Sequence, residues 1–253
     1  MLSQLLHEMK CDLTLPKCLK VVGFIRRMQA FSTLELKLKF LQTRDSWLKE
    51  TVSAIPKSEP HHHLTKTIEV TRVSLFNIVT QYKALFEEDF GREADFKVNL
   101  LFNSWIYEKI DDFIRFLDND LAQHNYNLMD TSSILGQCMY FGVSFSRIGI
   151  DFRAQLGPIF LKSILKQLNL NVMKATKQFE LDMEHFTLIN RDVMSRLRNK
   201  TETQDSKLSR AIEVLLDFEP LAIYYNALMN VFNELRICSP AGIAHSFTVM
   251  VER

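Results

Sequence analysis

The chain has 253 residues, 47% hydrophobic and 24% charged, enough apolar mass for a folded core, which excludes disorder as its general state. A formal net charge of +1 supplies no global field to recruit nucleic acid or an anionic membrane. Seven glycines and six prolines are too few for the tight turns of a β-sandwich or barrel, and four scattered cysteines, Cys11, Cys18, Cys138 and Cys238, with no Cys-x-x-Cys pair, argue against a disulfide framework or a thiolate zinc site.

The opening residues Met1-Leu2-Ser3-Gln4-Leu5-Leu6 do not read as a signal peptide, because His7, Glu8 and Lys10 interrupt the apolar run. No apolar stretch reaches the ~18 residues of a membrane span; the nearest, Met139 to Ile150, contains Arg147. The expectation is an intracellular chain, so the sequon Asn199-Lys200-Thr201 reads as a chance match.

The first strong helical signal is Ser32-Thr33-Leu34-Glu35, a capping box in which hydroxyl and carboxylate each satisfy an amide of the first turn. Behind it, Leu34, Leu38, Leu41, Leu48, Val52 and Ile55 share a helical face. Leu34, Leu36, Leu38 and Phe40 also alternate as a strand would, but the helical pattern is longer and capped. Pro56 to Pro60 breaks it. A second helix carries Ile68, Leu75, Val79, Tyr82 and Phe86 inward and ends at Glu87-Glu88-Asp89-Phe90-Gly91. A third carries Ile106, Ile110, Phe113, Leu117 and Leu121. Asp130 is placed as the N-cap of a helix or helix pair running to Gly157-Pro158, and Pro158 as the first turn of the next. That long helix sets Leu165, Leu168, Val172, Ala175, Phe179, Met183 and Phe186 at alternating steps of three and four. Between Arg198 and Lys207 no apolar residue occurs, which predicts a solvated loop with basic flanks. Pro220 opens a last helix with Leu221, Tyr224, Leu228, Phe232 and Leu235 inward, ended by Pro240.

The sum is an all-α fold of roughly six to eight helices, stacked antiparallel into an elongated bundle or rod. Residues 1–190 form the helical body, 191–210 a polar loop or linker, and 211–253 the C-terminal helices.

Motifs that would carry chemistry are missing from this pattern. There is no Gly-x-Gly-x-x-Gly and no P-loop. Gly142-Val143-Ser144-Phe145-Ser146 lacks the second glycine of a nucleophile elbow and sits in a helical segment. His61-His62-His63 is three consecutive side chains that point different ways on regular backbone, a poor metal set. The expectation is a chain with no catalytic site, cofactor or metal. One stretch stands out: Gly136, Gly142, Gly149 and Gly157 fall within 22 residues. On a helix, Cys138, Gly142, Ser146 and Gly149 would form a strip of small residues. Such a strip admits a close helix crossing, either inside the fold or with a partner.

The same stretch carries a resemblance. Ser133-Ile134-Leu135-Gly136-Gln137-Cys138-Met139-Tyr140-Phe141-Gly142, continuing through Arg147 to Asp151-Phe152-Arg153-Ala154-Gln155-Leu156, is similar to the family of subunit eight of the conserved oligomeric Golgi complex. Further segments agree in order: Cys18-Leu19-Lys20-Val21-Val22-Gly23-Phe24, Leu38-Lys39-Phe40-Leu41-Gln42-Thr43-Arg44-Asp45-Ser46-Trp47, Thr65-Lys66-Thr67-Ile68-Glu69 with Gln81-Tyr82-Lys83-Ala84, and Leu215-Leu216-Asp217-Phe218 with Phe232-Asn233-Glu234-Leu235-Arg236. The resemblance implies a non-enzymatic helical-rod subunit, peripheral on the cytosolic face of the Golgi membrane. In that family the complex captures retrograde vesicles and keeps glycosylation enzymes in place. The implied partners are subunit one, the second-lobe subunits and membrane-fusion proteins, with no nucleic acid. Family members extend further at both ends, which implies a fragment, a short isoform or a truncated gene model. Two readings compete: an all-helical enzyme with an unrecognised pocket, which two carboxylates of raised pKa in one cleft would favour, and a helical scaffold that binds nucleic acid or a membrane surface through the basic 191–210 region, which steeply salt-dependent binding would favour.

Overall fold

A computed structural model describes residues 2–86, 95–186, 218–238, 242–244 and 248. Every long element among them is an α-helix, and no strand occurs among them. Eight helices are laid out in order: α1 (Leu2–Glu8), α2 (Leu15–Arg27), α3 (Thr33–Ser53), α4 (Pro60–Phe86), α5 (Asp95–Gln123), α6 (Leu128–Ser146), α7 (Arg153–His185) and α8 (Glu219–Ile237). The all-α expectation holds. No helix among the described residues is long and apolar enough to cross a membrane.

The chain divides into two compact units, residues 1–125 with 133–159, and residues 126–132 with 160–253. The first unit contains the predicted capping box at the start of α3. The Glu35 amide donates to Ser32 Oγ at 3.3 Å and the Ser32 amide to Glu35 Oε2 at 2.8 Å. The strand-like alternation after it resolves into two helical stripes, and α4 covers only one. Leu36, Phe40, Leu41 and Leu48 are buried; Leu34 and Leu38, expected inward, are exposed. Phe40 decides the choice, because its ring meets Tyr82 and Phe86 of α4, each at 6.1 Å.

The inward residues expected on the next two helices are all buried: Ile68, Leu75, Val79, Tyr82 and Phe86 on α4, and Ile106, Ile110, Phe113, Leu117 and Leu121 on α5. The α4 helix ends at Phe86; the acidic stretch Glu87 to Gly91 lies outside the described residues. Tyr82 stacks on Phe102 of α5 at 4.3 Å. Further along, Phe141 of α6 sits among Phe113, Phe145 and Phe152 at 4.8 to 5.0 Å.

Among the described residues this unit buries four charged side chains, Lys37, Arg44, Lys109 and Asp120. Arg44, fully buried, donates to the Met9 carbonyl at 3.3 Å and the Cys11 carbonyl at 2.7 Å, and its guanidinium lies 4.0 Å over the Trp47 ring. It therefore pins the α1–α2 turn to α3. Lys109, only 6% exposed, joins α5 to α3 through Asp45 at 2.9 Å. Burial alone would lower the Lys109 pKa, but Asp45, Glu108 and Asp112 together hold it above the ordinary lysine value.

Two helix starts differ from expectation. Asn127, not Asp130, caps α6, since its Oδ1 accepts from the Asp130 amide at 2.7 Å. Pro158 lies inside α7 rather than in its first turn. Asp151 moves the start upstream: its Oδ1 accepts the Arg153 amide at 3.1 Å.

In the second unit α7 pairs with α8. Phe179 stacks on Tyr224 at 4.8 Å, and Asn171 Nδ2 donates to Glu234 at 3.2 Å. The expected stripe of α7 is only partly covered. Leu168 and Ala175 are buried, Leu165, Val172 and Phe179 half-buried, and Met183 is 46% exposed. On α8 the buried residues are Pro220 and Val231. Tyr224, Leu228 and Leu235 are half-buried, while Leu221 and Phe232, expected inward, are exposed. The segment 191–210 lies outside the described residues.

Candidate protein-docking surface

The small residues singled out by spacing have different surroundings. Cys138 is fully buried on α6. Burial pushes its thiol up to about 12, so it stays protonated and unreactive. Gly142, one turn on, is also buried. A methyl group there would run into the Arg153 side chain. That side chain is held in place by Asp151, with Nε to Oδ1 at 2.9 Å and Nη2 to Oδ2 at 2.6 Å. The Arg153 guanidinium in turn pulls the Asp151 carboxyl down to about 2. Ser146 is the last residue of α6, and its hydroxyl donates to the Val143 carbonyl at 2.9 Å.

Gly149 does not belong to the strip. It lies past the end of α6 with φ +91, a conformation that suits glycine. The Ile150 amide reaches back to the Phe145 carbonyl at 3.0 Å and the Gly149 amide to Ser146 at 3.1 Å. This is a Schellman closure, with Gly149 as its left-handed residue. A glycine shortly before Asp151-Phe152 was the sequence signal for that stop.

Gly136 has the opposite environment to Gly142. It is exposed, and a Cβ built on it meets nothing within 4 Å. It lines a groove of about 560 Å³ between α4 and α6, together with His62, Lys66, Glu69, Arg72 and Tyr140. Arg72 lies 4.9 Å over the Tyr140 ring, and Phe76 meets Phe145 edge-on at 6.4 Å. Both pairings advance in the same sense, so α4 and α6 run parallel along the groove. Lys66 bonds Glu69 at 2.9 Å on the α4 wall. Reading the sequence missed this groove.

The remaining chemistry-bearing residues do not converge. His61, His62 and His63 form the first turn of α4, where His63 Nδ1 lies 3.1 Å from the Pro56 carbonyl. Ser144, in the near-elbow, donates to the Tyr140 carbonyl at 2.9 Å, an ordinary intrahelical bond. Among the described residues no group of three His, Cys, Asp or Glu side chains could hold a metal.

Fold and surface together define an all-α protein of amphipathic helices covering one another, with an open groove between two of them. Residues 1–177 match the family model described as the Dor1-like family, and the chain belongs to that family. It is similar to curated proteins named conserved oligomeric Golgi complex subunit 8. It is 43% identical to the one from Drosophila melanogaster, over 98% of this chain and 45% of the relative. Identity to the Homo sapiens relative is 39%, over 100% of this chain and 42% of the relative. For Dictyostelium discoideum it is 32%, over 96% of this chain and 32% of the relative. The chain thus spans less than half the length of the curated relatives it matches. No solved structure matches it.

Proposed function

We propose that this chain is a non-catalytic subunit of a Golgi vesicle-tethering complex of the conserved oligomeric Golgi type. In this reading it sits peripherally on the cytosolic face of the Golgi membrane. It supports retrograde transport within the Golgi and, through it, retention of glycosylation enzymes. Its partners are the complex's other subunits, with subunit one and the second-lobe subunits foremost. One observation carries the reading: similarity to proteins named as that subunit runs along 96 to 100% of this chain in organisms as distant as a fly, a mammal and an amoeba. Exposed Tyr107, Met129, Tyr140 and Met173 suit the role, since aromatic residues and methionine are enriched at protein interfaces.

The test is affinity purification of the tagged chain from its own cells, with quantification of what co-purifies. The expected result is recovery of several complex subunits at fixed ratios, and restored lectin staining when the chain is expressed in cells lacking subunit 8. Recovery of the chain alone, with no correction of glycosylation, overturns the reading.

A further inference from the structure

We propose that the groove between α4 and α6 receives an acidic amphipathic helix from a sister subunit, an inference that rests on the functional reading above. Three observations on the groove converge. The first is Gly136. An interior helical glycine sacrifices helix propensity, and here no internal contact accounts for it, because nothing lies within 4 Å of where its Cβ would be. The space it leaves opens into the groove, where the backbone of a docked helix can come close.

The second is shape. Both walls are helices running in parallel, so no sheet edge is offered and an extended peptide would find no ladder to join. A helix laid between two helices is the matching occupant. His62 and Arg72 are ten residues apart on α4, about 15 Å along its axis, or roughly three turns of such a helix. Tyr140, 60% exposed on the opposite wall, is the aromatic anchor, and interface hot spots are enriched in tyrosine and arginine.

The third is charge. Lys66 and Arg72 line the groove with one carboxylate, Glu69, which bonds Lys66 at 2.9 Å, so the charged side chains of the lining leave an excess of one positive charge. Lys66 and Arg72 are about 9 Å apart along the helix axis. The complementary occupant presents carboxylates about two turns apart, with a small residue between them opposite Gly136. Opposite charges across the groove set partner choice and the rate of encounter.

The experiment uses the full chain and the sister subunits that co-purify with it, with affinity read by calorimetry. The double variant Lys66→Glu with Arg72→Glu should weaken binding to one sister subunit by at least about tenfold. Gly136→Leu should do the same by filling the groove, while the melting temperature and helical signal hold or rise. A photoreactive side chain at Gln137 should crosslink to a peptide of that subunit with acidic residues two turns apart. Unchanged affinity in both variants, or a crosslinked peptide without acidic residues, overturns the groove assignment and leaves the functional reading standing. If the wild-type chain binds no sister subunit, the functional reading falls, and this inference with it.

Discussion

The α4 helix and the α8 helix are both amphipathic by spacing, yet they fare differently. α4 has neighbours on several sides and buries twelve of its residues, among them Leu64, Ile68, Leu75, Ile78 and Tyr82. α8 buries Pro220 and Val231 and leaves Leu221, Ile223, Tyr225, Met229 and Phe232 exposed. Periodicity states which face of a helix could be covered. Coverage itself depends on what the fold brings against that face, and a single segment does not contain that information.

The largest effect that tests this contrast is the loss of an aromatic from each unit. Phe141 is fully buried among three other phenylalanine rings. Phe141→Ala should cost about 3–5 kcal/mol. Phe179 is half-buried and stacks on Tyr224, so Phe179→Ala should cost about 1–2 kcal/mol, a fraction of the full-burial figure. Denaturant titration of each variant measures both. Equal costs would mean that the two units are equally packed in solution.

The next effect is electrostatic and belongs to the first unit. Burial alone would raise the Asp45 carboxyl, but hydrogen bonds from Lys49 and Lys109 outweigh it and hold the group below the usual carboxylate range. A depressed carboxyl stabilises the fold above its unfolded value of 3.8, and that contribution disappears as pH falls through the lower folded value. Lys109, whose folded value is raised from 10.5, contributes fully below that number and loses its contribution as pH rises through the folded value. Stability from this pair is therefore flat between the two limits. Asp45→Asn should cost about 1–3 kcal/mol at neutral pH, by weakening a charge-assisted bond to a buried ammonium. It should also flatten the acid limb of the stability curve. An acid limb as steep as that of the wild type would mean that other carboxylates dominate there.

Much of this fold was legible in the residues. The capping box at Ser32, the inward faces of α4 and α5 and the all-α class follow from local spacing, because those helices are covered on the face that spacing selects. Leu34 and Leu38 were misplaced because the start of α3 carries two apolar stripes, and only α4 decides between them. Of the small-residue strip, Cys138 and Gly142 are buried on α6. Gly149 was read as helical because a C-terminal glycine and an interior glycine look alike until the reversal of the chain at Ile150 is known. The groove was illegible for a different reason: its two walls lie far apart in sequence, and only the fold brings Arg72 to Tyr140.

The two α6 glycines turn that lesson into a smaller test with opposite signs. Gly136→Ala adds a methyl group where nothing stands within 4 Å, so the helix should gain up to about 1 kcal/mol from propensity alone. Gly142→Ala gains the same propensity but must displace Arg153 from its clamp on Asp151, and should lose about 1 kcal/mol net. Thermal melts of the two variants give the comparison directly. Shifts of the same sign would show that Arg153 yields without cost.

The smallest expected effect is at Met183, and it separates two explanations for the fading cover along α7. The apolar stripe from Leu165 to Phe186 advances by threes and fours, averaging 3.5 residues per turn. A straight helix has 3.6, so the stripe drifts by about 20° per heptad around the axis. Over three heptads it turns about 60° away from where it began. Burial falls from Leu168 and Ala175, which are buried, through half-buried Phe179 to exposed Met183, while Leu165, Val172 and Phe186 of the same stripe are half-buried. If drift is the cause, Met183 faces solvent and Met183→Gln should change stability by less than about 0.5 kcal/mol. Leu168→Gln, on the covered part of the same stripe, should cost several times more, since it buries an amide without a partner. If α7 instead supercoils with α8 in solution, Met183 returns to the seam and Met183→Gln costs about as much as Leu168→Gln. A denaturant titration of these two variants distinguishes a straight α7 from a coiled one.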